Sequence, residues 1–122
     1  MKILLVDDSK MMRTIQKQIL AGLGAAEFVE AADGVEALKQ IAAVGAFQLI
    51  LIDWNMPNMD GITLVNRIRE TDKSTPLMMI TTEAEKSKIM EAIKAGVNNY
   101  ALKPFTPDSL MEKVKQTLAK AA

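Results

Sequence analysis

The chain has 122 residues, 15 Lys and Arg against 15 Asp and Glu, 49% hydrophobic content, and neither Cys nor His. That length and apolar content suit one compact domain, residues 1–122, with no output domain. Without thiols or imidazoles, disulfides, Ser-His and Cys-His nucleophiles and the usual transition-metal ligands are excluded, so chemistry must run on carboxylates, hydroxyls, Lys and Arg, with any metal a hard one held by oxygen.

Ile3 to Val6 is a short, continuously apolar run that reads as a first strand and ends in Asp7 and Asp8. It is too short for a signal peptide, and no window approaches a membrane span, so a soluble cytoplasmic protein is expected. Met11, Met12, Ile15, Ile19 and Leu23 recur at helical spacing and predict a first helix. Phe28 and Val29, with Ala31 and Ala32, predict a second strand; Asp33 and Gly34 then open a helix carried by Val35, Leu38 and Ile41. Leu49 to Ile52 is the third strand, ended by Asp53, and Leu64, Val65 and Ile68 mark the third helix. Leu77 to Ile80 is the fourth strand, closed by Thr81, and Ile89 and Ile93 mark a fourth helix stopped by Gly96. Tyr100 to Leu102 is the fifth strand, followed by Lys103. Thr106-Pro107-Asp108 reads as a cap, a Pro at the first helical position and an acid in the first turn of a helix through Leu110, Val114 and Leu118.

Five strands alternating with five helices predict a doubly wound (βα)5 domain of the α/β class, with a parallel sheet covered on both faces. The order 2-1-3-4-5, flavodoxin-like, is taken from known doubly wound folds; it places ligands beyond the carboxyl ends of the strands, where strands 1 and 3 adjoin. Asp7, Asp8 and Asp53 all fall there. At about 4 Å and an effective dielectric of about 20, each pair of like charges costs about 4 kcal/mol, so the cluster calls for a cation or a shifted protonation. Lys103 and Thr81, at the fifth and fourth strand ends, add a fixed cation and a hydroxyl donor. Phosphoryl transfer to a carboxylate requires this set, and Mg²⁺ suits one or two carboxylates plus a phosphate oxygen.

Asp7-Asp8, the stretch Asp53-Trp54-Asn55-Met56-Pro57-Asn58-Met59-Asp60-Gly61, Thr81, and Tyr100 with Lys103-Pro104-Phe105 resemble, in order and spacing, the signature of response-regulator receiver domains, most closely those of bacterial chemotaxis. The resemblance implies that Asp53 accepts the phosphoryl group. It implies that Asp8, Asp53 and the Asn55 backbone carbonyl bind Mg²⁺ directly, with Asp7 acting through water, and that Lys103 and Thr81 hold the phosphoryl oxygens. It implies a cis bond before Pro104. The donor it implies is a phosphohistidine on a sensor histidine kinase, so the chain modifies itself and is no enzyme in the ordinary sense. Asn55 and Glu83 flank the path of a hydrolytic water, which implies a short-lived phosphoprotein. By the same resemblance Thr81 couples to Tyr100, and Tyr100, Ala84, Lys86, Ile89, Ala101 and Lys113 form a partner face of the fourth helix, fifth strand and fifth helix for a flagellar motor switch protein and a phosphatase. Another possibility is a receiver acting as a relay intermediate, a phosphate sink or a regulator outside motility.

A hydrolase working through an aspartyl phosphate fits less well, because its two acids are spaced by one residue whereas Asp7 and Asp8 are adjacent. An FMN site would need a cradle that Asp7-Asp8-Ser9-Lys10 does not offer. The balanced charge argues against nucleic acid as a partner, and a monomer is expected. Met at helical spacing belongs to the core, with Met56 and Met59 as adaptable loop contacts. Arg67 and Arg69 read as a solvated helix face, and Trp54, the sole Trp, as a reporter of ion binding.

Overall fold

Continuous apolar runs form strands here because both faces of each strand are covered. The computed structural model describes residues 1–24, 27–82 and 86–121. Its five parallel strands are β1 (Lys2–Val6), β2 (Glu27–Ala31), β3 (Leu49–Asp53), β4 (Leu77–Thr81) and β5 (Asn99–Leu102), in the order β2-β1-β3-β4-β5. Between and after them run α1 (Lys10–Leu20), α2 (Gly34–Val44), α3 (Gly61–Arg69), α4 (Lys86–Ala95) and α5 (Pro107–Ala121). This is the flavodoxin-like (βα)5 architecture expected. None of the described helices is long and apolar enough to cross a membrane.

Strand parity divides the core in two. Leu4, Val6, Ile50, Ile52, Leu77 and Met79 pack with Ala37 of α2, Leu64, Val65 and Ile68 of α3, and Ala92 of α4. Their strand neighbours Ile3, Leu5, Leu49, Leu51, Met78, Ile80 and Ala101 point the other way, against Leu20 of α1 and Leu110 and Val114 of α5. Asp33, Asp60 and Ser9 cap α2, α3 and α1, each accepting a backbone N–H three residues on. Thr106 and Ser109 exchange the corresponding bonds at the start of α5.

Helix faces depart from the sequence reading in several places. The first helix ends at Leu20, and Ala21–Leu23 is a separate 3-10 turn, so Leu23 does not continue it. Gln16 and Leu20 face the sheet, which rotates Met11 (74% exposed) and Ile15 outward. In α4 the small Ala92 makes the close contact, leaving Ile89 half-buried and Met90 and Ile93 exposed. Met11 and Met90 therefore are not core residues.

Arg69 is the larger correction. Arg67 is exposed, but Arg69 donates from Nε to the Gly96 carbonyl (2.9 Å), from Nη1 to the Asp72 carbonyl (2.9 Å) and from Nη2 to Asn98 Oδ1 (3.1 Å). Asn98 Oδ1 also accepts the Leu77 N–H, so one guanidinium ties the end of α3 to the α4–β5 turn and the start of β4. Gly96 has φ +115°, and a Cβ there would stand 2.9 Å from Arg69 Cγ; the position needs Gly on both counts. Three bonds from one charged group lead to a direct expectation: Arg69→Ala lowers unfolding free energy by about 2 kcal/mol, read from urea midpoints. A change within error of zero would return Arg69 to the solvated face.

Candidate functional site

Register brings the chemistry together. Val6 pairs with Ile52, Asp53 with Ile80, and Thr81 with Leu102, so β1, β3, β4 and β5 end at one level. Asp7 and Asp8 follow β1, Asp53 and Thr81 close β3 and β4, and Lys103 follows β5. Trp54 N–H donates to the Ile80 carbonyl (3.0 Å) and Lys103 N–H to the Thr81 carbonyl (2.8 Å), which extends the ladder past the strand ends.

Asp7, Asp8 and Asp53 each offer a carboxylate oxygen, all within 4.8 Å of one another. Asp7 and Asp53 are buried and Asp8 is exposed. Lys103 Nζ donates to Asp53 Oδ1 at 3.1 Å and to Asp7 Oδ2 at 3.4 Å, and the Lys103–Pro104 bond is cis. Burial first, then the Asp7 charge, push the Asp53 carboxyl above its usual value, against the pull of Lys103. Burial alone would lower the Lys103 ammonium, but Asp53 and Asp7 outweigh it and the net shift is upward. Three hard oxygen donors converging from two strand ends, with one side open at Asp8, fit a divalent cation that keeps part of its water shell.

The loop after β3 is held closely. Gly61 N–H donates to the Trp54 carbonyl (2.8 Å), and a Cβ on Gly61 would stand 2.6 Å from the Asp53 carbonyl oxygen. Asn58, with φ +67°, donates from Nδ2 to Asp33 Oδ2 (2.9 Å), and a Cβ on Gly34 would meet Met59 at 2.8 Å. Asn55 is exposed, while Met56 and Met59 pack against the core edge.

Thr81 is buried at the end of β4. It shares strand parity with Met79, which Tyr100 faces across β5, so Thr81 and Tyr100 lie on one face of the sheet. Tyr100 and Lys113 are half-buried, with Lys113 Nζ 5.3 Å from the Tyr100 ring centroid. Ala101 is buried among Leu110 and Val114, so its methyl belongs to the core rather than to an exposed face. Glu83 and Ala84 lie outside the described residues, as does the side chain of Lys86, which begins α4. Trp54 is buried, and Lys88 Nζ stands 5.7 Å from its ring centroid, a contact that no motif announced.

Residues 3–115 match the family model described as the response regulator receiver domain. The chain belongs to that family. The receiver is 47% identical over 120 residues to chemotaxis protein CheY1 of Helicobacter pylori, covering 97% of each chain. It is 45% identical over 118 residues to chemotaxis protein CheY of Pseudomonas aeruginosa, covering 95% of this chain and 94% of the relative. Among solved structures, a CheY-like receiver domain protein of Methanospirillum hungatei superposes with a TM-score of 0.89 at 32% identity, over 98% of this chain and 94% of that one. Receiver domains of this family are the response-regulator half of two-component signalling, so that role holds here.

The electrostatics carry a sign that can be measured. With its folded-state pKa above the unfolded value, ionised Asp53 costs the native state stability at neutral pH, and the cost fades as pH falls through the folded-state value. Asp53→Asn, which leaves Lys103 paired with Asp7, should raise the urea midpoint of the metal-free protein at pH 7 and narrow the gain on acidification. A lower midpoint would mean that the Lys103–Asp53 pair outweighs the burial and repulsion.

Proposed function

We propose that the receiver accepts a phosphoryl group on Asp53 in the presence of Mg²⁺ and passes the signal to a protein partner in chemotaxis. The observation that carries this is the position of Lys103 Nζ between Asp53 and Asp7 in a cluster of three carboxylates. Asp8, Asp53 and the Asn55 backbone carbonyl would hold Mg²⁺, with Asp7 acting through water; the ion supplies neutralisation of phosphoryl oxygens.

In the transfer, an Asp53 carboxylate oxygen attacks phosphorus in line. The bond from phosphorus to the donor breaks, and the leaving group, an imidazole nitrogen of a sensor histidine kinase or the acetate of acetyl phosphate, departs with the electron pair. Lys103 is within reach of the acceptor oxygens and offsets charge that builds on the phosphoryl group. Thr81, on the face it shares with Tyr100, donates its hydroxyl to a phosphoryl oxygen, and movement of Thr81 draws Tyr100 inward. Asn55 and Glu83 govern the approach of the hydrolytic water and give the acyl phosphate a short lifetime. The face of α4, β5 and α5, with Tyr100, Ile89 and Lys113, together with Ala84 and Lys86, meets the target: a flagellar motor switch protein and, in signal termination, a phosphatase. A chain with this role works as a monomer in the cytoplasm. Relatives named as chemotaxis proteins at 45–47% identity support the pathway.

Labelling with acetyl phosphate tests the reading. Wild type is expected to gain one alkali-labile phosphoryl group per chain, only with Mg²⁺; Asp53→Ala gains none and Lys103→Ala labels at least tenfold more slowly, about 1.4 kcal/mol of transition-state stabilisation. Equal labelling of Asp53→Ala would overturn the assignment of the acceptor.

A further inference from the structure

The acid pair leaves the end of β1 on a short turn into α1, and every polar group of Asp7 is held there. Its N–H donates to the Ala31 carbonyl of β2 (3.1 Å), Oδ1 accepts the Ser9 N–H (2.9 Å), and Oδ2 accepts Lys103 Nζ. The Asp7 carbonyl accepts a hydrogen bond from Nη1 of Arg13, a side chain one turn into α1. Ladder and helix bonds do not supply this contact; it comes from a side chain that is itself tethered. Arg13 Nε donates to Glu30 Oε1 at 2.9 Å, and Lys17 Nζ holds Glu30 Oε2 at 2.9 Å. The Arg13 side chain is 13% exposed, while Glu30 and Lys17 are 33% and 36% exposed, so Arg13 is the shielded member of a charge-assisted network. Lys17 first, then Arg13, keep the Glu30 carboxyl below its usual range and so charged.

The Asp7 carbonyl and the Asp8 N–H belong to one planar peptide unit. Fixing the oxygen therefore fixes where the Asp8 backbone leaves the turn, and Asp8 is the exposed member of the three acids, whose direction has least support from packing. We propose that Arg13, anchored by Glu30, is a positioning residue for the cation site: it orients the Asp7–Asp8 peptide so that Asp8 presents its carboxylate toward Asp53. This rests on the reading of the acid cluster as a Mg²⁺ site. Ligand orientation by groups outside the coordination sphere is typically worth about tenfold or more in metal affinity.

The sign of the effect separates positioning from simple electrostatics. Arg13 is a cation near an acid cluster, so by charge alone its removal would tighten Mg²⁺ binding. Positioning predicts the opposite. Arg13→Met keeps the apolar stem and loses both hydrogen bonds; Arg13→Lys keeps the charge but not the planar fork that reaches two partners at once. After circular dichroism and a urea midpoint establish that each variant is folded, Mg²⁺ is titrated at fixed pH and ionic strength, followed by Trp54 fluorescence and by calorimetry. Arg13→Met is expected to bind about tenfold more weakly, and Arg13→Lys more weakly by a smaller factor. Equal or tighter binding by Arg13→Met overturns the proposal, even with a lowered urea midpoint, because a merely structural role moves stability and not affinity. Should Arg13→Met fail to fold, Arg13→Lys decides: charge alone predicts no change, and unchanged affinity overturns the proposal. Absence of saturable Mg²⁺ binding by wild type would instead remove the cation reading, and this proposal with it.

Discussion

Lys103 Nζ stands 3.1 Å from Asp53 and 3.4 Å from Asp7, a single ammonium among three carboxylates, and the site is organised around the negative charge it leaves uncompensated. Two of the acids are buried, where repulsion is poorly screened. A fold that holds them at this distance carries unfavourable energy that a bound divalent cation would relieve. Burial first, and the Asp7 charge after it, push the Asp53 carboxyl up, while the charges of Asp53 and Asp7 push the Lys103 ammonium up against its own burial.

Backbone geometry maintains that arrangement with little help from loops of irregular shape. Parallel strands in the order β2-β1-β3-β4-β5 place β1 and β3 side by side, and their shared register puts Asp7 and Asp53 at one level. Gly61 lets α3 begin in direct contact with the Asp53 peptide, and Asn58 and Met59 fasten the same loop to the start of α2. Two aromatic rings then lie close to this level, each with a Lys over it: Trp54 under Lys88 of α4, and Tyr100 under Lys113 of α5. A change in charge at Asp53 thus has packed neighbours through which to reach α4, β5 and α5.

Strand positions were legible because buried parallel strands read as unbroken apolar runs, and Leu49 to Asp53 and Leu77 to Thr81 are buried at every position. The acids, Thr81 and Lys103 were legible because each directly follows or closes such a run. Helix faces were less so. Gln16 faces the sheet while Met11 faces solvent, since the rotation of α1 is set by the close approach of its neighbours and not by the most apolar stripe. Ala92 in α4 makes the same point: a small residue wins the buried position over Ile93. Arg69 and Arg13 could not be found from the sequence at all. Each binds a backbone carbonyl of a residue brought near by the fold, Gly96 at a separation of 27 residues for Arg69 and Asp7 at 6 for Arg13, and a carbonyl carries no residue identity to recognise.

The proposed function therefore rests on a local charge imbalance imposed by sheet register, with Lys103 and the Thr81 hydroxyl placed by neighbouring strand ends. The most direct measurement is a crystal structure with Mg²⁺ and beryllofluoride, a mimic of the phosphoryl group. The account predicts beryllofluoride on an Asp53 oxygen, Mg²⁺ against Asp8 and Asp53, and Lys103 Nζ moved onto a fluoride. Beryllofluoride on another carboxylate, or bound with Lys103 still paired to Asp53 and Asp7 as before, would contradict it.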